Sequence, residues 1–138
     1  MKLVRLVYFS RATRDMSLSD LKNILQTARS NNSQLDVCGM LCYENRYFLQ
    51  ALEGERDKVN ELYLDIADDP RHSDVTIVGY DEVAEPKFKQ WNMGYAASSD
   101  AFYQILKQSA MSEFSPELMN KDSALDFLFH MADYQSDI

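Results

Sequence analysis

Positive charge is scarce in this chain. Lys and Arg number 14 against 22 Asp and Glu, for a net charge of −8 over 138 residues. A broad phosphate-binding surface needs clustered Lys and Arg, so nucleic acid is not an expected partner. Apolar runs are short as well. None approaches the roughly 18–20 residues of a membrane span. The basic-then-apolar start of a signal peptide is missing too, because Arg5 and Arg11 interrupt the N-terminus. No membrane association is expected, and the expected location is cytoplasmic. Cysteine is limited to Cys38 and Cys42. Four apart on a strand, their Cα atoms would lie about 13 Å from each other, too far for a disulfide or a shared metal. They read as buried, reduced packing residues. His72 and His130 lack zinc-ligand spacing, so no metal is expected. There is no P-loop, no GxGxxG after a strand, no nucleophile elbow and no HExxH. Glu53 and Glu55 straddle Gly54 at a strand end, and the pair reads as a solvated edge rather than an acid–base couple.

What is present suits a single globular domain with room for a small appendage. Apolar residues make up 46% and charged residues 26% of the chain, ordinary values for a folded protein able to bury a core. Leu3 to Ser10, LVRLVYFS, reads as a central strand with Tyr8 and Ser10 on one face. Ser17 and Asp20 resemble a capping box. Leu18, Leu21, Leu25 and Ala28 then form a helical stripe. That helix should end near Asn31–Asn32, since Asn tolerates the left-handed angles of a helix terminus.

Val37–Tyr43 and Arg46–Glu53 form the next two strands. Glu44–Asn45 between them implies an antiparallel hairpin. Gly39 marks a bulge or a close approach. Val59, Leu62, Tyr63 and Ile66 make a second helix, stopped by Asp69–Pro70. Val75–Tyr80 is a fourth strand. Phe88–Tyr95 is a fifth, with Trp91 and Met93 on one face. The first six elements of the order β-α-β-β-α-β-β are the split β-α-β arrangement of an α+β, ferredoxin-like fold with both helices on one face of the sheet. Beyond Ala97 the composition turns helical, over Asp100–Met111 and again from Ser115–Pro116. These helices are too short to stand alone and should cover the open face.

One polar group in this scheme needs explaining. In RYFLQALEG, residues 46–54, Phe48, Gln50 and Leu52 point one way and Tyr47, Leu49 and Ala51 the other. Gln50 therefore sits between apolar neighbours on a covered strand. An amide carries two donors and two acceptor lone pairs, each costly to bury unpaired. Its partner is either another protein group, the ordinary case, or a ligand.

Taken together, the segments resemble the BLUF family, blue-light sensors that use FAD. The resemblance covers residues 3–97 and rests on LVYFS at 6–10, Asn31–Asn32, CGMLCY at 38–43, FLQALEG at 48–54, DDPRH at 68–72 and FKQWNMGY at 88–95. Cys38 departs from it, since many members have Thr there. The resemblance implies a flavin cofactor, FAD with FMN or riboflavin as variants. It implies that Tyr8 donates an electron and a proton, and that Gln50 bridges Tyr8 to the flavin. It further implies that Asn32 reads the ring edge with Asn31 nearby, and that Arg71 and His72 lie toward the ribityl–phosphate end. Ser10 would sit close to Trp91 or Gln50. Trp91 and Met93 would carry the signal.

Residues 1–97 would be the sensor and 98–138 a helical cap and output extension. The short members of the family have no catalytic domain of their own. They act through a separate protein, such as a cyclic-di-GMP phosphodiesterase or a response-regulator-like partner, and form homo-oligomers. Two other readings remain open from the residues alone. One is a ferredoxin-like interaction module without flavin. The other is an acylphosphatase-like enzyme, for which the glycine-free RATRD loop is a poor phosphate cradle.

Overall fold

The computed structural model describes residues 2–138. In chain order the elements are β1 (Leu3–Ala12), α1 (Leu18–Leu35), β2 (Cys38–Glu44), β3 (Tyr47–Glu55), α2 (Arg56–Ala67), β4 (His72–Glu82), β5 (Gly94–Ala96), α3 (Asp100–Gln108), a 3-10 turn (Pro116–Leu118) and α4 (Lys121–Met131). The sheet order is β4-β1-β3-β2-β5, the expected α+β arrangement with β5 added beside β2. β1 runs antiparallel to β3 and β4, and β5 runs parallel to β2.

Strand alternation divides the interior into two cores. Leu6, Tyr8, Phe48 and Leu52 face α1 and α2, packing with Leu25 and Leu62. Val7, Leu49 and Ala51 face the tail, packing with Phe102, Phe114 and Phe127. Each such apolar side chain contributes about 1.5–3 kcal/mol on burial, so the tail helices cover the central strands on that face. No helix among the described residues is long and apolar enough to cross a membrane.

Several boundaries differ from those read off the sequence. α1 runs through Asn31 and Asn32 and ends at Asp36, which takes the left-handed conformation with φ 55°. The hairpin turn is Asn45–Arg46, one residue later than expected, and both residues have positive φ. That is the backbone of a two-residue turn whose twist matches its strands. β4 begins at His72 and not Val75. It lies at an edge with most side chains half exposed, so its pairing with β1 extends beyond any apolar pattern. α3 stops at Gln108. Ser115–Pro116 opens only the 3-10 turn, and α4 starts at Lys121 under an Asn120–Ser123 capping box.

The largest difference concerns the fifth strand. β4 and β5 lie at opposite edges of the sheet, so the segment between them must cross a sheet face and cannot pair along it. Phe88–Met93 is accordingly irregular, and only Gly94–Ala96 are extended and paired. Trp91 packs into the tail-side core and Met93 into the helix-side core. They do not share a face.

Gly39 is a close approach without a bulge, since β2 and β3 pair in unbroken register. A Cβ there would collide with the Ala51 backbone carbonyl and come within 3.0 Å of Met93 Cε. Gly39→Ala is therefore expected to destabilise the protein by about 1–3 kcal/mol, the usual overpacking cost. Urea denaturation would register this as a lower midpoint, and an unchanged midpoint would contradict the close approach.

Candidate functional site

Tyr8 and Gln50 are direct cross-strand neighbours on β1 and β3 and share the helix-side face by parity. The register of β1 against β4 shifts between Val7 and Tyr8 and again between Phe9 and Arg11. Irregularities of this kind re-aim side chains beside functional sites. Tyr8 is fully buried and Gln50 is 5% exposed. The Tyr8 hydroxyl donates to Gln50 Oε1. Gln50 Nε2 donates to Met93 Sδ at 3.4 Å. A thioether is a weak acceptor, so the donor end of this amide has much unused capacity. Burial holds the Tyr8 pKa far above its ordinary 10, with nearby Tyr63 and Asp69 acting in the same direction. Tyr8 is thus a protonated phenol across the physiological range, with its ring edge-on to Tyr63 at 5.6 Å.

Gln50 forms part of the floor of a cleft between α1 and α2. With its open mouth included, the cleft holds about 630 Å³ of empty space. Ile24, Leu41, Phe48, Leu52, Leu62 and Ile66 give it apolar walls. Asn31, Asn32, Gln50, Arg71, His72 and the carboxylates of Asp65 and Asp69 give it a polar rim. A flat, apolar heterocycle with hydrogen-bonding edges fits such a lining. The amides of Asn32 and Gln50 can hydrogen-bond such edges.

Of the residues singled out from sequence, Asn31, Asn32, Gln50, Arg71 and His72 line this cleft; Tyr8 and Ser10 do not. Tyr8 reaches it through Gln50, and Ser10 through His72. Asn32 Nδ2 donates to the Asn92 carbonyl at 2.7 Å. Arg71 is already engaged, its guanidinium bonded to Asp69 at 2.7–3.1 Å and to Asn23 at 3.2 Å. Ser10 Oγ lies 2.8 Å from His72 Nδ1 rather than against Trp91, which packs on the other side of the sheet.

The His72 ring also packs on Phe48, with centroids 4.7 Å apart. Burial depresses the His72 pKa, and Arg71 adds to this while Asp69 opposes it. The unfolded chain therefore takes up the proton first. His72 contributes stability that is full above the unfolded pKa of about 6.5 and is lost as pH falls from there toward the folded value. Denaturation midpoints at pH 7.5 and 5.5 should differ more for the natural protein than for His72→Gln. Equal differences would refute this.

The reading of Glu53 as a solvated edge is wrong. Its side chain has no exposure and pairs with Arg5 Nε at 2.7 Å. It also accepts from the Lys87 and Phe88 amides at 2.9 and 2.7 Å and lies 3.6 Å from Cys38 Sγ. A signal for this existed in the sequence. Arg5 interrupts an otherwise apolar strand and stands directly opposite Glu53 once β1 and β3 are in register. The two cysteines are free and buried, and burial beside Glu53 pushes the Cys38 thiol up to about 12.

Residues 3–94 match the model of a protein family described as sensors of blue light using FAD. The chain is 37% identical over 132 residues to the photoactivated adenylate cyclase subunit beta of Euglena longa. That match covers 91% of the chain but only 15% of the cyclase subunit. It is 29% identical over 140 residues to the blue light- and temperature-regulated antirepressor BluF of Escherichia coli strain K12, covering 97% of the chain and 34% of that protein. Its structure superposes on that of BlsA in the photo-activated state with a TM-score of 0.91 at 29% identity, covering 99% of both chains.

Proposed function

The chain belongs to the BLUF family of blue-light sensors that use FAD, and from that premise we propose that the cleft between α1 and α2 holds the flavin, with Tyr8 and Gln50 as its photochemical pair. The observation that carries this is the Gln50 amide, bonded on one side to a buried phenol and on the other only to a thioether. Bound there, the flavin supplies the absorption of blue light and, once excited, a strong one-electron oxidant.

The chain's own residues do the rest. Tyr8 would give up an electron to the excited flavin, its hydroxyl proton would pass to Gln50 Oε1, and the amide would release a proton from its nitrogen to the same flavin. When charge returns to Tyr8, the amide is left rotated or tautomerised. It then no longer presents its NH2 to Met93 Sδ. A strand holds Gln50 rigidly enough for such a change to be discrete. Asn32 and Asn31 orient the ring edges. His72 and Arg71 border the exit of the side chain, with the Asp65 and Asp69 carboxylates beside them tempering the pull on phosphate.

The change reaches the tail through β5, which directly follows Met93. Arg29 donates to the Met93 carbonyl at 3.0 Å and to the Ile138 carbonyl at 2.7 Å. The Ser136 amide donates to the Tyr95 carbonyl at 2.7 Å. We read residues 1–97 as the sensor and 98–138 as the cap and output surface. A small bias of this kind acts by favouring one of two nearly balanced packings. The Escherichia coli relative is a blue light- and temperature-regulated antirepressor, which supports an output exerted on a separate partner; we further read this chain as a homo-oligomer in the cytoplasm.

Purified protein should be yellow, and brief blue light should shift its flavin absorption slightly to the red, with recovery in darkness. Chromatography of the released pigment would show whether it is FAD, FMN or riboflavin. A colourless protein that takes up no added flavin would overturn the proposal.

A further inference from the structure

Strand β3 grips the crossing segment from both faces of the sheet. On the helix side Gln50 meets Met93. On the tail side, three residues further on, Glu53 accepts from the amides of Lys87 and Phe88. Resting on the sensor reading above, we propose that Glu53 is a positioning residue of the light response: it fixes the root of segment 88–93 so that only Trp91–Met93 can move when Gln50 changes.

The grip is strong for electrostatic reasons. A fully buried carboxylate is tolerable only when paired and hydrogen-bonded. Glu53 meets that requirement with the Arg5 guanidinium and two backbone amides, all within 2.9 Å. Bonds to an ionised acceptor are about twice as strong as neutral ones. Sliding the segment at Phe88 would strip a buried charge of two partners at once. Beyond Phe88 each tie is a single hydrogen bond to a separate carbonyl, and no two converge on one fully buried charge. These ties are Gly39 N to the Trp91 carbonyl at 3.3 Å, and the Asn32 and Arg29 side chains to the carbonyls of Asn92 and Met93. Displacement is therefore confined to the stretch after Phe88, and Lys87–Phe88 acts as its pivot.

Glu53→Gln keeps the side chain's size but removes the charge and places an NH2 against a donor, either the Phe88 amide at Oε1 or the Lys87 amide and Arg5 Nε at Oε2. Glu53→Asp keeps the charge and withdraws it by one methylene, and serves if the first variant folds poorly. Three measurements test the role. In flavin-free protein, hydrogen exchange at the Lys87 and Phe88 amides should rise about tenfold in Glu53→Gln. In loaded protein, the flavin red shift should keep its size while dark recovery changes several-fold. The light-minus-dark emission of Trp91, the sole tryptophan of the chain, should collapse toward zero.

A merely structural role would lower the melting temperature and leave recovery and Trp91 emission as in the natural protein. That result, or unchanged exchange at the two amides, would overturn the proposal. A natural protein with no red shift would instead overturn the sensor reading, while the exchange measurement would still report on the clamp.

Discussion

Gln50→Ala should lose the light-induced red shift altogether while remaining folded and able to bind flavin. Tyr8 would keep its ring in place against Tyr63, but its hydroxyl would have no acceptor in a fully buried position. Leaving that group unpaired costs roughly 1–3 kcal/mol, a loss a domain of ordinary stability survives. Proton movement, in contrast, has no substitute route, because Tyr8 does not itself border the cleft.

Tyr8→Phe should fail equally, for the complementary reason that the amide then has no phenol to accept from and no donor of charge. The two residues act as one unit, so the double variant should be no worse than either single one. Steady-state difference spectra under blue light measure this directly. A Gln50→Ala or Tyr8→Phe protein that photoconverts with the natural amplitude would leave the fold untouched and remove the assigned roles.

Phe102→Ala should be the most damaging core substitution in the tail. Phe102 has no exposure and packs edge-on to Phe114 and Phe127, both with centroids at 5.3 Å. Truncating a buried Phe costs about 3–5 kcal/mol through lost transfer energy and a residual cavity. That is a large share of the roughly 5–15 kcal/mol available to a domain, and for a chain of this size it lowers the melting temperature by roughly 10 °C or more. Because Phe102 shares its core with Val7, Leu49 and Ala51 of the sheet, the loss should appear as one earlier transition detected equally by flavin absorbance and by far-UV circular dichroism. Two separate transitions, with the flavin signal unmoved, would mean that the tail is an independent unit and not the second half of the core.

Much of the site could be read from residue type and spacing. Period-two alternation put Tyr8 and Ser10 on one face, and Phe48, Gln50 and Leu52 on one face, and the two cores follow that division. The capping box at Ser17–Asp20 is present as read. Asn31 and Asn32 both line the cleft, but as part of a helix that continues past them. The ordinary terminator role fell instead to Asp36, because local helix signals compete with the packing of the whole helix.

The segment Phe88–Tyr95 misled for a related reason. Its apolar residues look like a strand, yet they serve two different cores as the chain crosses from one sheet edge to the other. Alternation says nothing about which core a crossing residue enters.

By itself, then, the sequence determined the order of elements, the parity of β1 and β3 and the chemical character of the pair at Tyr8 and Gln50. Those depend on local backbone geometry, which repeats every two residues in a strand and every 3.6 in a helix. The tertiary structure alone decided that Met93 and not Trp91 meets Gln50, that Ser10 serves His72, and that Glu53 anchors the amides of Lys87 and Phe88. Each of those outcomes depends on which segment crosses which face of the sheet. The free energy that settles it, burial of charge and apolar surface among residues distant in sequence, has no local signature.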